Sequence, residues 1–212
     1  MQNSIPDKIW LYRITHYQNI PHILRNGIVT SGSNNANPSF VNIGDNSLIQ
    51  IRKDKTVIIT PGGYLSEYIP FYFGAHSPML LQIITGNQGV TKRPQGDIVY
   101  LISSLSKIEE IGCSYIFSDG HAWDGMSTLY NNPSDLNKVD WNIVKDKNWK
   151  NDDDNFDRKR RKQAELLVHN HVPITCIEYI VVYDDIKLKF VQNEISKAGL
   201  SVPVHISTKH YY

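Results

Sequence analysis

The stretch RKRRKQAELLVH, residues 158–169, sets five cations in a row ahead of a lone acid, Glu165, and then turns apolar. A strand over 164–169 places Ala164, Leu166 and Val168 on one face. Gln163 and Glu165 then share the other face, with Leu167 on it or just beyond. A carboxylate at the start of a buried strand loses its hydration, so it needs a partner or has a task. The plain alternative is a strand-end glutamate still in water. The cations have two readings as well: a solvated helix or loop face, or a basic approach for a phosphate chain. Asp152, Asp153 and Asp154 stand just before them.

Outward from this stretch the apolar pattern changes repeatedly. KIWLYRIT (8–15), TVIIT (56–60), MLLQIIT (79–85), DIVYLIS (97–103), SYIFSD (114–119), CIEYIVVY (176–183) and VPVHIS (202–207) read as strands. Residues 85–96 contain glycines and read as a hairpin loop between two of them. YQNIPHILRNGI (17–28) repeats Ile20, Ile23 and Leu24 at helical spacing, and Gly27 stands where a C-cap belongs. LSKIEEIG (105–112) and IKLKFVQNEISKAG (186–199) are helices ending at Gly112 and Gly199, and 133–150 also reads as helical. Residues 30–47, rich in Ser, Asn and Gly, form a long loop, a length that is often functional. Strands and helices do not alternate strictly, so the class is α+β with mostly antiparallel pairing.

The chain has 212 residues, 41% apolar and 20% charged, with a net charge of +1. No Gly/Ser-rich or Pro-rich linker divides it, so 1–212 reads as one globular domain. Cys113 and Cys176 form no C-x-x-C pair and read as reduced thiols. The N-terminus lacks a signal-peptide core, and no apolar run approaches the ~20 residues that span a bilayer. The expected location is therefore the cytoplasm, with no membrane association.

Three further features bear on chemistry. PGGYLSEYIPFYFGAHSPML (61–80) carries Tyr64, Tyr68, Phe71, Tyr72 and Phe73 within ten residues. Read as a loop, it is a stacking platform for flat rings; otherwise it is core packing. Arg52, before TVIIT, offers paired N–H donors to a phosphate or a base oxygen. His169 and His171 have H-x-H spacing, but no acidic cluster accompanies them, so no metal site is expected. No P-loop, no G-x-G-x-x-G after a strand and no G-x-S-x-G is present.

Taken in order, LYRITHYQNIPHILRNGI (11–28), PGGYLSEYIPFYFGAHSPMLLQI (61–83), SDGHA (118–122), KQAELLV (162–168) and the terminal Tyr211-Tyr212 resemble the DarT family of DNA ADP-ribosyltransferase toxins. The resemblance covers nearly the whole chain. It implies an ADP-ribosyltransferase fold: a split, mainly antiparallel sheet flanked by helices around an NAD cleft. It implies transfer of ADP-ribose from NAD to a thymine ring nitrogen in single-stranded DNA, with no metal, by a monomer. A macrodomain antitoxin is expected to reverse the mark.

By the same resemblance Glu165 is the catalytic acid, stabilising positive charge on the ribose. Arg52 is the active-site arginine. Tyr72, Met79 and His121 shape the nicotinamide and base pockets. Tyr12, Thr15, His16 and Asn19 make the first NAD-contact segment, where Arg13 stands in place of a histidine found in some relatives. On this reading Arg158, Arg160 and Arg161 draw in the DNA backbone. Three rivals remain from the sequence: transfer to guanine, RNA or protein; a single-strand binding domain without catalysis; and a metal nuclease on His169 and His171.

Overall fold

In the computed structural model, which describes residues 3–87 and 89–212, ten strands and seven α-helices are assigned. The strands are β1 (Trp10–His16), β2 (Ile28–Val29), β3 (Tyr68–Tyr72), β4 (Ile98–Ser104), β5 (Tyr115–Ser118), β6 (Leu129–Tyr130), β7 (Glu165–His169), β8 (His171–Val172), β9 (Tyr179–Val182) and β10 (Val204–Ile206). The helices are α1 (Ile20–Asn26), α2 (Asn46–Asp54), α3 (Pro78–Thr85), α4 (Leu105–Glu110), α5 (Trp141–Lys145), α6 (Arg158–Lys162) and α7 (Asp185–Lys197).

Eight strands form one sheet in the order β10-β9-β4-β1-β3-β7-β5-β6. Its pairings are antiparallel except β10–β9. β1 and β4 pair over seven residues, from Trp10↔Ser104 to His16↔Ile98. β3 and β7 pair over five, ending at Tyr72↔Glu165. Between β1 and β3 a single pair holds, Tyr12↔Tyr72. The sheet is therefore split at its centre, and Tyr12, Tyr72 and Glu165 stand in one row across the split on the same face.

One side of the sheet buries Leu11, Phe71, Leu101, Phe117, Leu166 and Val168 against α1, α4, α5 and α7. Each such side chain contributes about 1.5–3 kcal/mol through lost contact with water. The other side carries two separate clusters. One gathers Ile14, Tyr100 and Tyr211 under Leu80 and Ile83 of α3. The other gathers Leu65, Tyr68, Ile116 and Leu167. Tyr72 and Glu165 belong to neither, so a polar strip runs between two apolar blocks.

Several expectations change. MLLQIIT is helix, not strand: the Ser77 hydroxyl accepts the Leu80 N–H at 3.2 Å, Pro78 opens the first turn, and Gly86 closes the last at φ +74. Only every third residue, Leu80 and then Ile83, is fully buried. With 79–85 helical, 85–96 is no hairpin loop; residue 88 of it lies outside the described residues. TVIIT is not a buried strand: Thr56 makes one isolated bridge to Tyr64, and Ile58 is 91% exposed. Arg52 lies on α2 and not in a pre-strand segment. Residues 133–150 hold a 3-10 turn (Pro133–Lys138) and the five-residue α5. The aromatic segment is largely a core strand: Tyr68, Phe71 and Phe73 are buried, and only Tyr72 joins the polar strip. The two cysteines, distant in sequence, are neighbours in space, with sulfurs 3.7 Å apart and unbonded.

Candidate active site

Glu165 opens β7 directly after the last turn of α6. Its backbone N–H donates to the Ser118 hydroxyl at 3.2 Å, which fixes where the side chain leaves the sheet. The carboxylate is 2% exposed. Oε2 lies 3.2 Å from Arg52 Nη1, and Oε1 accepts the Ala122 N–H at 3.3 Å. A buried carboxylate persists only with such a charge partner and hydrogen bonds. Arg52 comes from α2, whose first turn is capped by the Asp45 carboxylate accepting the Ser47 N–H at 2.8 Å. Its second terminal nitrogen donates to Leu65 O at 3.5 Å.

His121 stands beside them, with Nδ1 3.4 Å from Glu165 Oε1. The geometry is not that of a hydrogen bond, and Nδ1 is a buried polar atom without a hydrogen-bond partner. Burial pushes this imidazole below the ordinary 6.5; Glu165 opposes the shift and Arg52 adds to it. The ring is therefore neutral at pH 7 and has a donor or acceptor to offer. Tyr72 donates to Met79 Sδ at 3.8 Å. Burial, then the Glu165 charge, raises its phenol, so it remains a donor. Burial likewise pushes the Tyr12 phenol up to about 12. Arg13 reaches across the split to donate to Pro70 O at 2.9 Å. Burial, then Arg52, lowers it to about 10, which leaves it charged at neutral pH.

At the far end of β1, Asn19 donates to Thr15 Oγ1 and to Val41 O, each at 3.0 Å, and accepts the Val41 N–H at 2.9 Å. This ties the long loop after β2 to the mouth of the split. His16 Nδ1 accepts the Gln18 N–H at 3.3 Å and caps the turn that follows.

A family model described as "ssDNA thymidine ADP-ribosyltransferase, DarT" matches residues 12–212. The chain belongs to the DarT family. A DNA ADP-ribosyl transferase of Escherichia coli O127:H6 is 33% identical over 208 residues, 98% of this chain and 95% of that protein. The DarT of Thermus sp. 2.9, solved in complex with ADP-ribosylated ssDNA, superposes with a TM-score of 0.91 at 27% identity over all of both chains. The same protein in complex with NAD+ superposes at 0.86. A DNA ADP-ribosyl transferase–DNA ADP-ribosyl glycohydrolase fusion protein of Thermosipho africanus is 28% identical over 175 residues, 82% of this chain and 42% of the fusion. Like the other members of that family, the chain is a DNA ADP-ribosyltransferase.

The structure brings together Glu165, Arg52, Tyr72, Met79, His121 and Arg13 at the split, with Tyr12 beside Tyr72. It sets Thr15, His16 and Asn19 along one arm of the opening. The arginines of the basic run each pair with an acid of the fold. Arg158 pairs with Asp146, and Arg160 makes a two-pronged pair with Asp157 at 2.7 Å and reaches Asp119 at 3.2 Å. Arg161 pairs with Asp140 at 2.6 Å. Lys162 is buried and donates to three backbone carbonyls, those of Ala75, Val144 and Asp146. The three guanidiniums are thus matched to carboxylates within the fold, while Lys159 has no carboxylate partner among the described residues. His169 and His171 diverge: the first packs its ring on Tyr68, and the second bonds Asn26 O at 3.0 Å.

Three functional contacts escaped the sequence reading. The Ser118 hydroxyl and the Ala122 N–H both hold Glu165, and the Arg160 backbone carbonyl accepts the His121 N–H at 3.0 Å. The first two lie inside SDGHA, so that motif marked them without stating their task.

Proposed function

We propose that this chain transfers ADP-ribose from NAD to a thymine ring nitrogen in single-stranded DNA, with Glu165 as the catalytic residue. The observation that carries the reading is the buried Glu165–Arg52 pair at the split, with Tyr72 and the unpartnered Nδ1 of His121 beside it. NAD supplies the ADP-ribosyl group, and its bond to nicotinamide breaks with positive charge gathering on the ribose. A fixed carboxylate out of bulk water stabilises such charge without reorganising. Glu165 also keeps lone pairs for a ribose hydroxyl. Arg52 holds the carboxylate in place and offers donors to a base oxygen as the ring nitrogen gives up its proton to water, nicotinamide leaving as the neutral base. Tyr72 and Met79 wall the space where the flat rings stack, and His121 offers one hydrogen bond there. Arg13, Thr15, His16, Asn19 and Tyr12 line the path for the rest of the dinucleotide. Single strands suit this site, because no base pair must open to expose the ring nitrogen.

The chain acts as one domain and as a monomer, in the cytoplasm, as the toxin of a pair. A macrodomain antitoxin that hydrolyses the ADP-ribosyl mark is its partner. Support comes from the Thermosipho africanus protein, which joins a transferase and a glycohydrolase in one chain. Among the described residues no helix is long and apolar enough to cross a membrane.

The test is mass spectrometry of thymine-containing and thymine-free oligonucleotides incubated with NAD and the wild-type protein. The expected result is a gain of one ADP-ribose on the thymine set only, with nicotinamide released. A gain on thymine-free DNA, on RNA or on protein would move the activity to another target. Binding without nicotinamide release would remove catalysis.

A further inference from the structure

Past Tyr12, toward the start of β1 and away from Thr15, a cavity of about 310 Å3 opens between β1 and α5. Trp10, Tyr12, Trp141, Lys145, Lys209 and His210 line it. The Tyr12↔Tyr72↔Glu165 register sets Tyr12 two strands from the carboxylate, roughly 10 Å at the usual strand spacing. The cavity is thus next to the site, on the opposite side from the Thr15–Asn19 arm.

Its charge is one-sided. Three lysines line it and no carboxylate does. Lys8 is already committed, to Glu178 at 2.8 Å and to the face of Trp10 at 3.8 Å. Lys145 and Lys209 are exposed and, among the described residues, have no acidic partner within ion-pair distance. They differ in this from the arginines of α6. The walls are aromatic, with Trp10 and Tyr12 half-buried and Trp141 buried as a floor, its indole N–H donating to Leu136 O at 2.9 Å. Rings for a base and uncommitted cations for a phosphate are what a groove for single-stranded nucleic acid combines. A second cavity, of about 420 Å3, contains Glu67 and no lysine or arginine, and so lacks that chemistry.

We propose that the Trp10–Tyr12 cavity is a subsite for a nucleotide flanking the target thymine: its base lies on the aromatic walls, and its phosphate meets Lys145 and Lys209. This rests on the DNA-modifying reading above. It assigns the two ends of β1 to two substrates, with Tyr12 as the boundary between them: the dinucleotide toward Thr15 and the DNA strand toward Trp10.

The test uses Lys145→Gln/Lys209→Gln together, both at exposed positions, and Trp10→Ala separately. Binding of a fluorescent thymine-containing oligonucleotide is measured by anisotropy across a salt series, and KM for DNA and for NAD are measured in parallel. The double variant flattens the slope of log affinity against log salt by about 1.4, two contacts at about 0.7 each for a single strand. Trp10→Ala raises KM for the oligonucleotide about tenfold, the scale of one lost base stack. KM for NAD holds in both. An unchanged salt slope in the double variant overturns the subsite. So does a rise in KM for NAD instead of DNA, which would give the cavity to the dinucleotide. Because binding is read without turnover, the subsite is decided even if wild-type protein fails to modify thymine, a result that would count against the activity alone.

Discussion

Arg52 and Glu165 are 113 residues apart in the chain and 3.2 Å apart in the fold. One comes from an exposed helix, the other from the start of a buried strand, and each makes the other's position tenable. Glu165→Gln keeps the shape and one hydrogen-bond acceptor but removes the charge. Transfer to DNA is expected to fall on the order of a hundredfold or more, with the protein still folded as read by circular dichroism. Near-normal turnover in this variant would falsify the assigned role. Arg52→Met instead leaves a buried carboxylate unpaired. It should cost about 3 kcal/mol of stability, read in a urea titration.

His121 gives activity a dependence on acidity. Burial holds its folded-state pKa below 6.5, so between that lowered value and 6.5 the unfolded chain binds more protons than the folded one. Stability from this group is therefore present above 6.5 and is lost as pH falls through the lowered pKa. Transfer should decline over the same range as the ring becomes a cation beside Arg52. His121→Gln, neutral at every pH, should flatten this decline. A wild-type profile unchanged by the substitution would show that the histidine does not titrate during turnover.

The sequence reading succeeded where pattern and neighbourhood agreed. Glu165 among Ala164, Leu166 and Val168 was legible because alternation set the faces, and α1 and α7 were legible through helical spacing and their terminal glycines. MLLQIIT was misread because a short continuous apolar run has no period of its own. The Ser77-Pro78 start and Gly86 stop were the stronger signal. TVIIT failed for the opposite reason: Gly62 and Gly63, at φ +89 and +82, turn the chain back so that the Val57 N–H bonds Gly63 O at 2.8 Å, and Ile58 is left outside. The cations of α6 are legible in the sequence but their partners are not, because Asp119, Asp140 and Asp146 reach them only through the tertiary fold.

Lys162 is the buried end of that run. Its amine donates to Val144 O and Asp146 O at 2.7 Å and to Ala75 O at 3.2 Å. Lys162→Met strips these carbonyls of their donor and should cost on the order of 1–3 kcal/mol near neutral pH. Burial lowers the amine to about 8, against 10.5 for a free lysine. Between those values the unfolded chain holds the extra proton, so the group's contribution to stability rises with pH across that window. Urea titrations at both ends of the window should show that rise in the wild type and its loss in the methionine variant.

Arg160 separates a structural role for the basic run from a DNA-binding one. Its guanidinium grips Asp157, Asp119 and, at 3.1 Å, the Ser127 hydroxyl, while its backbone carbonyl holds the His121 N–H. These contacts brace both ends of the turn that carries His121 and the Ala122 N–H against Glu165. Arg160→Gln keeps the backbone contact but releases the side-chain grip, so the turn loosens while the carboxylate itself is untouched. The expected outcome is a lower kcat with little change in KM for DNA, and a salt dependence of DNA affinity equal to that of the wild type. An arginine that met the DNA backbone would behave differently: its loss would flatten the salt slope by about 0.7 and raise KM for DNA. Anisotropy across a salt series, run beside turnover measurements, reads both quantities, and a flattened slope would return Arg160 to the DNA interface.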